Sequence, residues 1–273
     1  MSLKANPKNK PEDPKLSPKE EMGEFAKTII IAVVLTLIIR TFFYQPFNIP
    51  SGSMRPTLEI GDYLFVSKLS YGYSQYSFPL NIFKFDGRIN AREPKRGDSV
   101  VFKLPTNTSV DYIKRIVGLP GETVQVINGR LYINGRRTDR EPIGLVERID
   151  DSGFEKRVLM EYVETLPGGI MHRIYEESDR GNLDNTPIYK VPEGHYFVMG
   201  DNRDNSQDSR VPNLVGFVPY ENLVGRADIL FFSIDKEEAK ISNPLTWFTA
   251  IRGNRLFKSL APIRHEEETQ NPS

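Results

Sequence analysis

The chain has 273 residues, enough to bury one substantial core plus an accessory module, and its 36 Lys and Arg residues are matched by 36 Asp and Glu. This balance points to no nucleic acid among the partners, since a phosphate backbone selects for excess or clustered basic charge. Cysteine is absent, which excludes a disulfide framework, thiol catalysis and a cysteine-based metal site.

Residues 1–24 open with a stretch rich in Pro, Lys and Glu, which reads as a disordered tail. Thr28–Ile39 gives twelve uncharged residues, by themselves the length of a core helix or a signal-peptide core. Continued to Tyr44 the run has seventeen residues with Arg40 as the sole charge, at the end where its guanidinium can reach the headgroups. Phe42, Phe43, Tyr44 and Phe47 form an aromatic collar, so residues 25–46 are expected to be one transmembrane helix. The long leading segment and the missing Ala-x-Ala site argue against a cleavable secretory signal. Lys4, Lys8, Lys10, Lys15, Lys19 and Lys27 precede the span, and Arg55 is the only basic residue in the twenty after Tyr44. The positive-inside rule puts the N-terminus in the cytoplasm and the bulk of the chain on the extracytoplasmic side of a cytoplasmic membrane.

Pro50-Ser51-Gly52-Ser53-Met54-Arg55-Pro56-Thr57-Leu58 follows closely. Gly52 permits a sharp bend and Pro56 blocks a continuous helix, so Ser51 and Ser53 are presented on a tight turn. Ser53 is a candidate nucleophile; the competing reading is an ordinary loop with two serines. Short strands are predicted at Asp62–Val66, Asp98–Lys103, Tyr112–Val117, Thr123–Ile127, Arg130–Ile133, Tyr196–Met199 and Ala227–Phe232, with Asn128-Gly129 and Asn134-Gly135 as hairpin turns. Residues 71–95, rich in aromatics and serine, read as an extended hairpin, either a membrane-facing loop or a surface excursion. In Asp111-Tyr112-Ile113-Lys114-Arg115-Ile116-Val117-Gly118-Leu119-Pro120-Gly121, Tyr112, Lys114 and Ile116 share one strand face. Turned inward, that face desolvates Lys114 and favours its neutral amine, a candidate base; turned outward, Lys114 is an edge-strand lysine. Residues 125–192 are richer in charge and turns and read as an inserted β module between the two parts of a β domain, 47–124 and 193–240.

Gly200-Asp201-Asn202-Arg203-Asp204-Asn205-Ser206-Gln207-Asp208-Ser209-Arg210 is too polar to be simple punctuation. A calcium loop fails, because Gln207 falls where the turning glycine is needed and Asn213 where the bidentate glutamate is needed. A self-satisfied network that buttresses a neighbouring site fits the composition. His172, His195 and His265 lie in no triad or metal spacing, and His195 is expected to end or cap a strand. The lone Ser-x-x-Lys, Ser233-Ile234-Asp235-Lys236, follows a strand and lacks the Ser-Asp-Asn and Lys-Thr-Gly partners of penicillin-recognising enzymes. In the tail, 241–273, Pro244 can open a helix carrying Trp247, Phe248, Ile251 and Phe257 among Arg252, Arg255 and Lys258. That helix either lies at the membrane interface or packs on the domain, and Gly253 and Asn254 can end it early.

The three active boxes, with Gly97-Asp98-Ser99-Val100-Val101-Phe102 between the first two, resemble in order and spacing those of the type I signal peptidases, the bacterial leader peptidases that use a Ser/Lys dyad. The resemblance covers roughly residues 25–235. It implies a mainly β fold, an antiparallel catalytic core with an inserted β module anchored by one N-terminal transmembrane helix. It implies Ser53 as nucleophile, Lys114 as general base and Ser51 as an oxyanion-hole hydroxyl working with the Ser53 N–H. Ser206 corresponds to the residue that hydrogen-bonds the lysine amine, Asp201 and Arg115 to a supporting ion pair, and Asp208 and Arg210 to positions behind it. Ile49, Pro50, Met54, Leu58, Tyr112 and Ile113 correspond to the lining of pockets for small substrate side chains. No metal or other cofactor is implied. The expected activity is serine endopeptidase cleavage of signal peptides from exported preproteins, with preproteins, the phospholipid membrane and the secretion translocon as partners. The rival readings are a specialised Ser/Lys protease, of a pilin-processing, transfer or self-cleaving repressor type, and a membrane-anchored β scaffold without activity. The membrane span and the lack of a DNA-binding module oppose the repressor, and the intact Ser53, Lys114 and Ser206 oppose the scaffold.

Overall fold

In the computed structural model, which describes residues 17–78, 84–151, 155–235, 238–239, 243 and 246–264, the apolar run forms α1, Pro18–Phe42, with no buried residue. Pro18 suits a first helical position because its missing N–H has no intrahelical partner to lose. Ser17 and Glu20 close a reciprocal cap, Ser17 N–H donating to Glu20 Oε2 at 2.8 Å and Glu20 N–H to Ser17 Oγ at 3.4 Å. The most apolar 18 residues of α1 have a mean hydropathy of 2.1. Its 25 residues reach about 37 Å, against a hydrocarbon core of about 30 Å. The part of the chain up to Ile39 and the part from Arg40 onward are separate compact units. Residues 1–16 of the expected tail lie outside the described residues, and 18–24 are helical.

The helix stops at Phe42 and not at 46 because its last carbonyls find other donors. Lys68 Nζ donates to Arg40 O at 3.0 Å and Thr41 O at 3.4 Å, and Tyr73 Oη to Phe42 O at 2.7 Å. Residues expected in the span instead form β1, Tyr44–Asn48, antiparallel to β2, Asp62–Ser67. The chain continues through β3 (Ser99–Leu104), β4 (Asn107–Gly118), β5 (Thr123–Ile127), β6 (Arg130–Ile133), β7 (Arg136–Arg137), β8 (Asp139–Ile149), β9 (Lys156–Leu166), β10 (Ile170–Glu176) and β11 (Tyr189–Lys190). It closes with β12 (His195–Met199), β13 (Val218–Pro219), β14 (Leu223–Ser233), α2 (Thr246–Thr249), β15 (Lys258–Ser259) and β16 (Ile263–Arg264).

The protein is mainly β. Its eight-stranded antiparallel sheet has the order β1-β2-β14-β3-β4-β12-β13, with β15 added to β14. Alternation along these strands buries Leu64, Val66, Val101, Val224 and Leu230 in one cluster with Ile49, Met54 and Leu58, and Val100, Phe102, Ile116 and Val198 in another. Each such side chain contributes roughly 1.5–3 kcal/mol of burial free energy. The segment between β4 and β12 supplies most of two four-stranded sheets, β11-β5-β6-β7 and β16-β10-β9-β8. Asn128-Gly129 and Asn134-Gly135 turn the β5–β6 and β6–β7 hairpins with left-handed φ values of 47° and 69°, and 52° and 74°.

Two expectations change. Between 71 and 95 the described residues hold a short 3-10 turn, Gln75–Ser77, and one isolated bridge, Tyr73 with Ile89, but no hairpin ladder; residues 79–83 lie outside the described residues. Arg88 pins this loop instead, its guanidinium donating to Tyr71 O, Gly72 O, Tyr220 O and Leu223 O. At the C-terminal end Pro244 lies outside the described residues and α2 has four residues. Of the two readings of this tail, Arg252 and Arg255 follow the packed one and turn onto the domain: Arg255 Nη2 lies 2.5 Å from Asp62 Oδ2, and Arg252 Nη2 3.1 Å from Asp235 Oδ2. The buried Asp62 carboxylate draws the guanidinium inward.

Candidate active site

Ser53 sits in a 3-10 turn, Gly52–Met54, where Met54 is drawn fully into the core. Lys114 lies on β4 opposite Val100 of β3, on the inward face with Ile116, and is 3 % exposed. The turn and the strand meet at one contact, Lys114 Nζ donating to Ser53 Oγ at 2.6 Å. The Tyr112 ring centroid is 5.5 Å from the same Nζ. Burial pushes the Lys114 amine down to about 8; Asp208, Asp201 and Asp151 pull it back toward the charged form, and Arg210 pushes it further down. Near neutral pH a useful fraction of the amine is therefore unprotonated, and the Ser53 hydroxyl can then give it a proton. Ser51 Oγ stands 3.4 Å from Ser53 Oγ.

The loop after β12 holds this turn from behind. Asn202 N–H donates to Ser53 O at 3.1 Å, and Asn202 Nδ2 to Gly52 O at 3.2 Å. Gly200 permits the close approach, since a Cβ there would stand 2.2 Å from Ser206 Oγ and 2.5 Å from Ser53 O. Arg115 grips Asp201 through two bonds, Nε to Oδ1 at 2.8 Å and Nη2 to Oδ2 at 2.7 Å, while Thr57 Oγ1 donates to Asp201 Oδ2. Burial alone would raise the Asp201 carboxyl, but the Arg115 guanidinium overrides it and holds the value low. Asp208 is held low in the same way against burial, accepting from Arg210 Nε and Nη2, each at 2.9 Å, and from Gly200 N–H at 3.0 Å.

One expected contact is replaced. Ser206 Oγ donates to Asp208 Oδ2 at 2.8 Å, and among the described residues Lys114 makes no hydrogen bond to Ser206. A carboxylate is the stronger acceptor for that hydroxyl. The expected pocket lining also divides. Pro50, Tyr112 and Ile113 line an open cleft of about 1010 Å³ with Ser51, Ser53, Lys114 and Ser206, whereas Ile49, Met54 and Leu58 are core residues with at most 2 % exposure.

Asn202, Thr57 and Asp151 escape a reading of sequence alone. His172 does too: its Nε2 lies 3.4 Å from Glu164 Oε2 and 3.9 Å from Asp201 Oδ1, behind the Arg115–Asp201 pair. Burial pushes His172 down to about 4, so it is neutral there. His195 opens β12, its Nδ1 paired with Glu193 O at 2.9 Å. Among the described residues one carboxylate group, Glu176, Asp184 and Asp204, could hold a cation, and it includes neither Ser53 nor Lys114.

A family profile described as signal peptidase, peptidase S26, matches residues 22–232. Signal peptidase I of Rickettsia conorii is 42 % identical over 258 residues, covering 89 % of this chain and 93 % of its own. That of Rickettsia prowazekii is 42 % identical over 260 residues, covering 89 % and 94 %. A solved signal peptidase I from Enterococcus faecalis is 30 % identical over 50 % of this chain and 97 % of its own, with a TM-score of 0.28, a superposition too partial to bear on the fold. A family match spanning most of the chain and relatives aligned nearly end to end leave one assignment: the chain belongs to the signal peptidase family, peptidase S26, and is a serine endopeptidase.

Proposed function

We propose that the protein is a membrane-bound signal peptidase that cleaves N-terminal signal peptides from exported preproteins, with Ser53 as nucleophile and Lys114 as general base. The observation that carries this reading is the buried Lys114 amine 2.6 Å from Ser53 Oγ, its proton weakly held. Neutral Lys114 takes the hydroxyl proton as Ser53 attacks the scissile carbonyl, returns it to the leaving amine, and then activates the water that hydrolyses the acyl-enzyme. Ser51 Oγ and the Ser53 N–H stabilise the tetrahedral oxyanion, a type of contact worth about 3–4 kcal/mol of barrier. Asp201 with Arg115, and Asp208 with Arg210 and Ser206, keep the turn and the lysine in register.

The substrate binds as an added strand. β12 pairs with β4 only at Arg115, Ile116 and Gly118, so the stretch of β4 before Arg115 has β3 on one side and, among the described strands, none on the other. That edge borders Pro50, Tyr112 and Ile113 in the cleft, where main-chain hydrogen bonds give affinity and shallow contacts favour small side chains. The apolar helix α1 supports single-pass anchoring, and the lysines before it support a cytoplasmic N-terminus with the catalytic domain outside, where preproteins arrive from the translocon. We take residues 47–124 and 193–240 as the catalytic domain and 125–192 as its inserted module. The test is to incubate the detergent-solubilised protein with a preprotein and sequence the new N-terminus. Cleavage after a segment with small residues just before the scissile bond and two residues earlier is expected; an intact preprotein, or cleavage elsewhere, overturns the reading.

A further inference from the structure

The end of strand β8 is tied to the residues that follow Ser53. Arg55 Nη1 donates to Ile149 O at 2.8 Å, and Arg55 Nε to Glu59 Oε2 at 2.8 Å, so one guanidinium joins the accessory strand to the catalytic segment. Asp151, two residues beyond Ile149, then reaches the turn itself. Gly52 N–H donates to Asp151 Oδ2 at 2.9 Å, and Arg55 Nη1 lies 3.8 Å from Asp151 Oδ1. Gly52 stands between the two serines, so the direction of its amide fixes how both hydroxyls are presented. The packing also accounts for glycine at 52: a Cβ there would stand 2.4 Å from Asp151 Oδ1. Asp151 lines the same cleft as Ser51, Ser53 and Lys114.

We propose that Asp151 is a positioning residue of this enzyme, clamping the Gly52 amide so that Ser51 and Ser53 are held for catalysis and setting a negative charge beside Lys114. The inference rests on the reading of Ser53 and Lys114 as nucleophile and base. The charged groups acting on Lys114 are Asp201, Asp208 and Arg210 from the loop after β12 and Asp151 from the end of β8. Asp201 and Asp208 are each gripped by an arginine through two bonds, whereas Asp151 has Arg55 at 3.8 Å. Neutralising Asp151 therefore removes a charge that favours the lysine ammonium, and deprotonation of Lys114 becomes easier.

The experiment compares full-length wild type, Asp151→Asn, Asp151→Ala and Ser53→Ala in detergent, with pH profiles of kcat on a signal-peptide substrate and hydrogen–deuterium exchange at the Gly52 amide. Asp151→Asn keeps an oxygen for the Gly52 N–H and loses only the charge. Its acidic limb is expected to move down by roughly 0.3–0.5 pH unit, with the plateau kcat within about twofold of wild type. Asp151→Ala is expected to show the same shift, a plateau lowered by roughly tenfold, and faster exchange at Gly52. A merely structural contact would not move the limb. An unmoved limb in Asp151→Asn overturns the electrostatic half, and unchanged exchange and plateau in folded Asp151→Ala overturn the clamp. If Asp151→Ala does not fold, Asp151→Asn still decides the charge, and Asp151→Gly, assayed the same way, decides the clamp. Equal activity of wild type and Ser53→Ala would reject the dyad, while the exchange readout would still decide the clamp.

Discussion

A lysine that serves as a base must spend part of its time uncharged, and Lys114 is placed to do so: it is 3 % exposed, touches Ser53 Oγ, and titrates near 8. Ser53→Ala and Lys114→Ala are each expected to reduce cleavage at least about a thousandfold while leaving the circular-dichroism spectrum and melting temperature near wild type. Lys114→Arg is expected to be as inactive, because a guanidinium stays protonated even where it fits. Retention of most activity in either lysine variant would refute the base assignment. In the proposed mechanism the working form is the neutral amine, so kcat is expected to rise about tenfold per pH unit below 8 and to level off above it. A profile falling from mildly acidic pH upward would instead indicate a protonated acid. Strand alternation made it legible that Lys114 shares a face with Tyr112 and Ile116, while its turning inward is decided only by the packing of β4 against the core. Asp151 and Asn202 were not legible, since they meet Gly52 across 99 and 150 residues and no local pattern encodes such a pairing.

At the scale of elements, the turn chemistry was readable and the ends of the chain were not. Asn-Gly pairs announce the β5–β6 and β6–β7 hairpins because left-handed backbone is needed there and few residues supply it. β1 follows directly on the apolar run, and its Tyr44 and Phe47 suit an interfacial collar as well as a strand; what decides is Lys68, whose ammonium closes the helix at Arg40 and Thr41. The segment after β14 was open between lipid and domain, because its basic residues suit either until their acidic partners are known. Arg255 Nε donates to Asp62 Oδ1 at 3.1 Å, and Asp62 is fully buried on β2, which leads out of the catalytic turn. Arg255→Ala leaves that carboxylate with a weaker set of partners, Arg252 at 3.9 Å, the Ser233 hydroxyl at 2.7 Å and the Glu59 N–H at 2.8 Å. A loss of about 3 kcal/mol in denaturant unfolding is expected. A loss within about 0.5 kcal/mol would show that the closing segment only lies against the domain.

Across the whole molecule, stability against pH turns on two groups that share strand β10 and titrate in opposite senses. Burial lowers His172 from 6.5 to about 4, so its contribution is complete above pH 6.5 and is lost as pH falls toward 4, where the unfolded chain takes the proton first. Burial raises Glu176 from 4.5 to about 8, with Arg203 and Arg140 opposing, so its contribution is complete below pH 4.5 and is lost as pH rises through 8. Between 4.5 and 6.5 the two slopes cancel, and between 6.5 and 8 only the Glu176 slope remains. The carboxylates gripped by arginines, Asp201 and Asp208, act below this window. The lowered lysines Lys68 and Lys114, both near 8, act at its upper edge and beyond. The melting temperature of the wild type is therefore expected to be level from pH 5 to 6.5 and to decline toward 7.5. In Glu176→Gln that decline should vanish, because the amide has no proton to lose. In His172→Gln the acid side should change instead, with stability rising as pH falls from 6.5 to 5 because the opposing histidine slope is gone. Thermal melts of the three proteins at half-unit pH steps decide the matter: parallel curves would mean that neither side chain keeps its unusual protonation state in the folded protein.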